Sequence, residues 1–221
     1  MLKERYYTPE TIEETSRGFI TALPTKSTRR DYSHSLQRSA LLVLDMQDYF
    51  LDENSHAFVP SALAIVPGIQ TLVETFSAHQ RKVVFTRHLN TPRNAGQMRR
   101  WWSEIIQSDS PLSRISTALD TSRGKIIEKS QYDAFYETPL QEFLLDNAVT
   151  QIVICGVMTH LCCETTARSA FIRGFEVYFA VDGTATYNRS YHLASLTNLA
   201  HGFATPLLVR DILQAASEHA A

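Results

Sequence analysis

The run Ala40-Leu41-Leu42-Val43-Leu44 stops abruptly at Asp45, and its reading decides the fold. Consecutive apolar residues without polar alternation suit a strand buried on both faces, as in a parallel sheet covered by helices. Immediately after it, Ile65, Ile69, Leu72, Val73 and Phe76 recur at helical spacing and predict one buried helix face. Lys82 to Thr86 predicts a second strand and Lys125 to Glu128 a weaker third. Gln151 to Cys155 predicts a fourth, broken by Gly156, Glu176 to Val181 a fifth and Ala204 to Val209 a sixth. Between these strands, Thr138-Pro139 with Gln141 reads as the capped start of a helix that turns Leu140, Phe143 and Leu144 inward. A further helix is predicted from about His160 to Arg173, closed by Gly174, and another is capped by Asn188 and carries Leu193, Leu196 and Leu199. The last helix passes through Ile212 and Leu213. Six strands separated by helices predict a parallel sheet with helices on both faces.

The chain has 221 residues, enough for one domain with a proper core, and its apolar fraction of 44% is that of an ordinary globular protein. Its formal charge of −2 is scattered, and the pair Arg99-Arg100 beside Trp101-Trp102 is too small an electrostatic footprint for a nucleic-acid partner. No apolar stretch reaches the length of a membrane span, so no membrane partner is expected. Residues 1–38 are polar, lack the apolar centre of a secretory signal and read as an N-terminal extension to a domain covering 39–221. Three cysteines, an odd number without metal-type spacing, point to a reducing, cytoplasmic setting. The stretch 90–123 reads as a long excursion with a short helix around Trp101 to Ile106, on the side where loops carry function.

Ligands of open α/β sheets settle beyond the carboxyl ends of the strands. Asp45 ends the first strand, Lys129 ends the third, and Cys162 follows the fourth at a predicted helix start. A thiol in a first helical turn is favoured as thiolate by the exposed N–H groups and the helix dipole. A carboxylate near it accepts the thiol proton and returns it to a leaving amine, and an ammonium compensates the charge. The bland alternatives stand beside this reading: Asp45 as a turn cap, Lys129 as a solvated lysine, Cys162 as an inert buried thiol. Cys155 reads as core filler, and Cys163 points about 100° away from Cys162 around a helix.

Three segments carry a resemblance: Leu44-Asp45-Met46-Gln47-Asp48-Tyr49-Phe50, Lys129-Ser130-Gln131-Tyr132-Asp133-Ala134-Phe135 and Gly156-Val157-Met158-Thr159-His160-Leu161-Cys162-Cys163. In order and spacing they resemble the isochorismatase-like cysteine hydrolases, over about Ala40 to Leu213. The resemblance implies a three-layer α/β/α sandwich around a six-stranded, mostly parallel, Rossmann-like sheet. It implies a catalytic triad of Asp45 as general base and acid, Lys129 as charge partner and Cys162 as nucleophile. It also implies a cis peptide at Val157–Met158 and an oxyanion hole formed by the backbone N–H groups of Met158 and Cys162. The activity implied is cleavage of a C–N bond in a small carboxamide or carbamoyl compound through a thioester, by a homodimer or homotetramer.

Two alternatives remain open on the residues themselves. Isochorismatases proper hydrolyse a vinyl ether with the aspartate as proton donor and commonly carry glycine where Cys162 stands; a scaffold that keeps the fold without turnover is the other. Nicotinamidases hold a metal through Asp-x-His…His after the second strand, where this chain has Thr86-Arg87-His88-Leu89-Asn90, with no Asp two positions before His88. A zinc site needs at least three protein ligands, so no metal and no other cofactor is expected. Phe50, His88, Tyr132, Phe135 and His160 are the expected substrate-binding side chains, with Arg87 facing the substrate beside His88. His192 and His201, on one predicted helix, are expected to face packing or solvent.

Overall fold

The computed structural model describes residues 2–23 and 36–217. In chain order the elements are α1 (Ile12–Ala22), β1 (Ser39–Leu44), α2 (Asp48–Leu51), α3 (Ala62–Ala78), β2 (Lys82–His88), α4 (Met98–Trp101), β3 (Lys125–Lys129), α5 (Leu140–Asp146) and β4 (Gln151–Val157). After a π-helical turn at Thr159–Cys163 follow α6 (Glu164–Ile172), β5 (Glu176–Ala185), α7 (Arg189–Gly202), β6 (Thr205–Leu207) and α8 (Val209–Ser217).

The six strands form one all-parallel sheet in the order β3-β2-β1-β4-β5-β6. Every residue of β1 is buried, which is why its apolar run shows no alternation. Helix α3 packs on β1, β2, β4 and β5 and against α8, and α6 packs on β5 and against α7. Asn188 caps α7 by accepting the Tyr191 N–H, as its position before the apolar periodicity predicts.

Some boundaries differ from the sequence reading, each for a local reason. Strand β4 continues through Gly156 to Val157 instead of stopping there. Gly156 has φ +111°, and a Cβ at this position would lie 2.1 Å from the Leu44 carbonyl oxygen, so only glycine lets β4 run against the end of β1. The neighbouring register shifts between Ile154 and Gly156, and β5 correspondingly extends to Ala185. The short helix of the excursion lies at Met98–Trp101, ahead of the expected position, while Trp102 to Ile106 is not helical. The last strand is cut to Thr205–Leu207 because α8 begins at Val209, capped by the Asp182 carboxylate.

The segment before β1 packs on the sheet domain. Tyr6, Tyr7 and Phe19 are buried in the common hydrophobic core, and α1 lies against β5. Residues 24–35 of the expected extension lie outside the described residues. Among the described residues no helix is long and apolar enough to cross a membrane.

Candidate active site

Strand order reverses beside β1, whose neighbours are β2 on one side and β4 on the other. The crevice beyond the carboxyl ends of these strands is where an open α/β sheet has room for a ligand. Asp45 follows β1 with φ +51°, a left-handed turn that keeps its carboxylate at the strand end. Thr86, near the end of β2, holds it from two sides: the hydroxyl donates to Asp45 Oδ1 (2.6 Å) and accepts the Asp45 N–H (3.0 Å). His88 ends β2 and Lys129 ends β3, and the two are partners in register. The long lysine side chain then reaches past β2 to bring Nζ within 2.8 Å of Asp45 Oδ2, with both side chains fully buried.

The Lys129 ammonium is the centre of the site. Besides Asp45 it lies 3.3 Å from Cys162 Sγ and 3.3 Å from His88 Nδ1, and it donates to the Gln131 carbonyl at 2.9 Å. Asp45, His88 and Cys162 bring one ligand-type atom each within 4.8 Å of one another, a cluster of the kind that holds a metal ion. Here the ammonium hydrogen-bonds the histidine and the thiol and pairs with the carboxylate, so a positive charge belonging to the chain already sits among these donors. Asn90 Oδ1 lies 2.9 Å from His88 Nε2. An amide oxygen only accepts, so His88 carries its proton on Nε2 and offers Nδ1 to Lys129. Burial, reinforced by the neighbouring ammonium, pushes the His88 pKa down to about 4, and the ring is neutral.

The protonation of the other three follows from their mutual charges. Burial by itself would raise the Asp45 carboxyl, but Lys129 above all, then His88 and Cys162, hold it below its ordinary value. Burial would likewise discharge Lys129, and Asp45 reverses this and holds its pKa above the ordinary value. For Cys162, burial and the Asp45 charge outweigh Lys129, and the thiol pKa is raised. The resting site is therefore carboxylate, ammonium and thiol. This corrects the expectation of a thiolate favoured by a helix start. Cys162 lies in the π-helical turn that precedes α6, and desolvation dominates any dipole effect there. The peptide Val157–Met158, at the start of the same turn, is cis.

Cys162 opens onto a cleft of about 70 Å³, which Phe50, His88, Tyr132 and Met158 also line. Phe135 and His160 do not line it. Phe135 is buried against Phe175, with the Arg173 guanidinium over its ring, because its side chain points away from the strand end into the core. His160 hydrogen-bonds Thr186 Oγ1 at 2.6 Å and stacks on Tyr191, pointing out of its turn away from the cleft. Arg87 is also turned elsewhere, its guanidinium engaged by Ser113 and Glu128. Of the two remaining cysteines, Cys155 and Cys163 are fully buried in the core.

Several wall residues lie outside the expected substrate-binding set. Trp102 lines the cleft and donates from Nε1 to the Tyr132 hydroxyl (2.7 Å), whereas Trp101 is 79% exposed. Tyr49, Met98, Glu104, Ile106 and Tyr187 also line the cleft. Tyr187 follows the end of β5, but the sequence ends that strand at Val181, so the strand-end rule misses it; the register shift that carries β5 on to Ala185 is visible only in the structure. Gln47 links the loops below the cleft: its amide donates to the carbonyls of His88 and Ser113, and its Oε1 accepts the His88 N–H.

Residues 39–211 match the family model described as the isochorismatase domain. The chain is 39% identical over 171 residues to nicotinamidase 3 of Arabidopsis thaliana, covering 75% of this chain and 82% of that one. It is 27% identical over 194 residues to enterobactin synthase component B of Escherichia coli, covering 84% of this chain and 66% of that one. A cysteine hydrolase from Pseudomonas syringae superposes with a TM-score of 0.80 at 26% identity, covering 87% of this chain and 98% of that structure.

Proposed function

Since the chain belongs to the isochorismatase family of hydrolases, we propose that it is the thiol-dependent amidohydrolase kind, cleaving a small uncharged carboxamide. The observation that carries this reading is the buried contact of Lys129 with both Asp45 (2.8 Å) and Cys162 (3.3 Å) at the base of a cleft. A nucleophilic mechanism needs a nucleophile, a proton acceptor beside it and a charge that keeps the acceptor ionised. These three side chains meet that need.

Asp45 takes the thiol proton as sulfur adds to the amide carbon, and the carbonyl becomes an oxyanion. The backbone N–H groups of Met158 and Cys162 are assigned to this oxyanion, each such donor being worth about 3 kcal/mol in the transition state. Collapse expels the nitrogen, which leaves with the proton held by Asp45, and a thioester remains. Water, losing its proton to Asp45, then adds to the thioester carbon; C–S cleavage releases the acid, and Cys162 recovers the proton. Lys129 stays protonated throughout and balances whichever anion is present.

The cleft argues for an uncharged substrate. Among the described residues its lining includes no arginine or lysine, and Glu104 is its one acid. The one cation nearby, Lys129, is fully buried and paired with Asp45, so isochorismate, a dicarboxylate, would be desolvated there without a free cationic partner. A vinyl-ether hydrolase with Asp45 as proton donor remains the second reading, favoured by the match to enterobactin synthase component B. Three free, buried cysteines support a reducing, cytoplasmic setting.

Ammonia release measured across small neutral carboxamides, nicotinamide included, tests the reading. Turnover of at least one amide that disappears in Cys162→Ala is the expected result. Ether cleavage that survives Cys162→Ala, with no amide accepted, would hand the site to the second reading.

A further inference from the structure

The family match begins at Ser39, yet residues well before it touch the site from behind. The Glu4 N–H donates to the Tyr187 carbonyl at 2.7 Å, and Lys3 Nζ lies 4.7 Å from the centre of the Tyr187 ring while donating to the His56 carbonyl at 2.5 Å. Tyr187 and His56 both line the cleft. Tyr6 goes deeper. Its hydroxyl accepts the Thr186 N–H at 2.9 Å and sits 2.8 Å from His192 Nδ1.

Burial pushes the His192 pKa down to about 3, so the ring is neutral. The phenol's one hydrogen has His192 as its partner, which makes Nδ1 the acceptor. Both partners of Tyr6 lead to the turn that carries the nucleophile. Thr186 Oγ1 is 2.6 Å from His160 Nδ1, and His192 Nδ1 is 3.5 Å from Thr159 Oγ1, the first residue of that turn. His192 and His160, which have no place in the chemistry, thereby acquire one in the architecture.

We propose that Lys3 to Tyr6 form a strap that belongs to the active site, with Tyr6 as a positioning residue for the Thr159–Cys163 turn and Lys3 as a positioning residue for the Tyr187 wall. The inference rests on the amidohydrolase reading, because what Tyr6 positions is the thiol against Lys129. Its physical basis is that Thr159 and His160 open the turn and take as side-chain partners His192 and Thr186, the two residues the Tyr6 hydroxyl bonds, so that hydroxyl fixes where the turn begins.

The test compares Tyr6→Phe and Lys3→Met with the unaltered protein. Tyr6→Phe keeps the ring that packs on Tyr7 and Phe19 and removes only the hydroxyl. Iodoacetamide labelling, read by mass spectrometry, needs no substrate, and Cys155 and Cys163 report any general loosening. Tyr6→Phe should slow labelling of Cys162 about fivefold, the equivalent of one lost hydrogen bond, and lower kcat more than it changes KM, with Cys155 and Cys163 still protected. Lys3→Met should raise KM with little change in kcat.

An unaltered Cys162 labelling rate in Tyr6→Phe overturns the inference, as does labelling of all three cysteines together, which would mean simple unfolding. If Cys162 of the unaltered protein labels no faster than Cys163, the amidohydrolase reading falls and this inference with it.

Discussion

The floor and the walls of the cleft are built on opposite principles. The floor is Cys162, which faces the cleft, with Asp45 and Lys129 fully buried beneath it, and two of the three are supplied by the ends of strands whose register is fixed by the sheet. The walls come from loops and from the segment before the sheet domain: Phe50 from α2, Trp102 after α4, and Tyr187 backed by Lys3. A parallel sheet holds strand ends to within fractions of an ångström, which reactive groups require, whereas loops can vary without disturbing the core. On the proposed mechanism, chemistry belongs to the rigid part and selectivity to the adjustable part. Substitutions in the floor should destroy kcat, and those in the walls should mainly move KM.

The largest effect should separate two adjacent cysteines. Cys162→Ala is expected to reduce kcat by about 10⁴-fold or more, the scale of losing a nucleophile, while Cys163→Ala leaves kcat within about tenfold and costs only packing stability. Equal losses in both variants would break the assignment of the floor. Next, Lys129→Met leaves the Asp45 carboxylate buried without its partner. We expect loss of activity together with about 3–5 kcal/mol of stability, read from a urea unfolding midpoint; a variant as stable as the parent would contradict the buried pairing.

Thr86→Val should reduce kcat about tenfold by removing the hydroxyl that fixes Asp45 Oδ1, with KM nearly constant. Glu104→Gln, in the wall, should change KM for neutral amides less than tenfold and leave kcat alone. A kcat effect there larger than that of Thr86→Val would erase the distinction between floor and wall.

The histidines sharpen the same contrast through pH. His88 and His192 are buried with pKa values pushed down to about 4 and about 3, against an ordinary value near 6.5. Between these limits the unfolded chain binds protons that the folded chain does not, so stability rises with pH across the window and falls on acidification. Unfolding at pH 5 should be easier than at pH 7.5 by about 2 kcal/mol for each of the two. On the proposed mechanism the rate, in contrast, depends on Asp45 staying ionised, and its pKa is held below the ordinary carboxyl value. A kcat/KM profile measured where the protein remains folded should therefore be flat through pH 6.5. A limb near that value would show that a histidine, rather than Asp45, is the base.

The parts legible in the sequence were those coupled to a regular element. Asp45 could be found because five apolar residues of β1 end on it, and Lys129 because β3 does. Angular spacing says only that Cys162 and Cys163 cannot both face the crevice, and the resemblance selects the first; the structure places Cys162 against the cleft and Cys163 in the core. Phe135 and His160 share segments with these residues yet point elsewhere. Closeness in sequence to a reactive group says nothing about direction once the chain leaves the strand. The protonation of Cys162 was read from a presumed helix start, and the opposite sign follows from burial, which a single sequence does not report.

What the amino-acid order determined by itself is the alternation of buried strands and helices, with Asp45 and Lys129 at strand ends and Cys162 in the turn after the fourth strand. Apolar periodicity and chain-terminating turns are local properties, and the hydrophobic effect reads them directly. Which side chains converge was decided only in three dimensions. Lys129 meets Asp45 because β3 and β1 flank β2, and Tyr6 meets His192 across 186 residues of chain. Such contacts depend on strand order and on the packing of a distant segment, and the free energy that selects them belongs to the whole core rather than to any stretch of sequence.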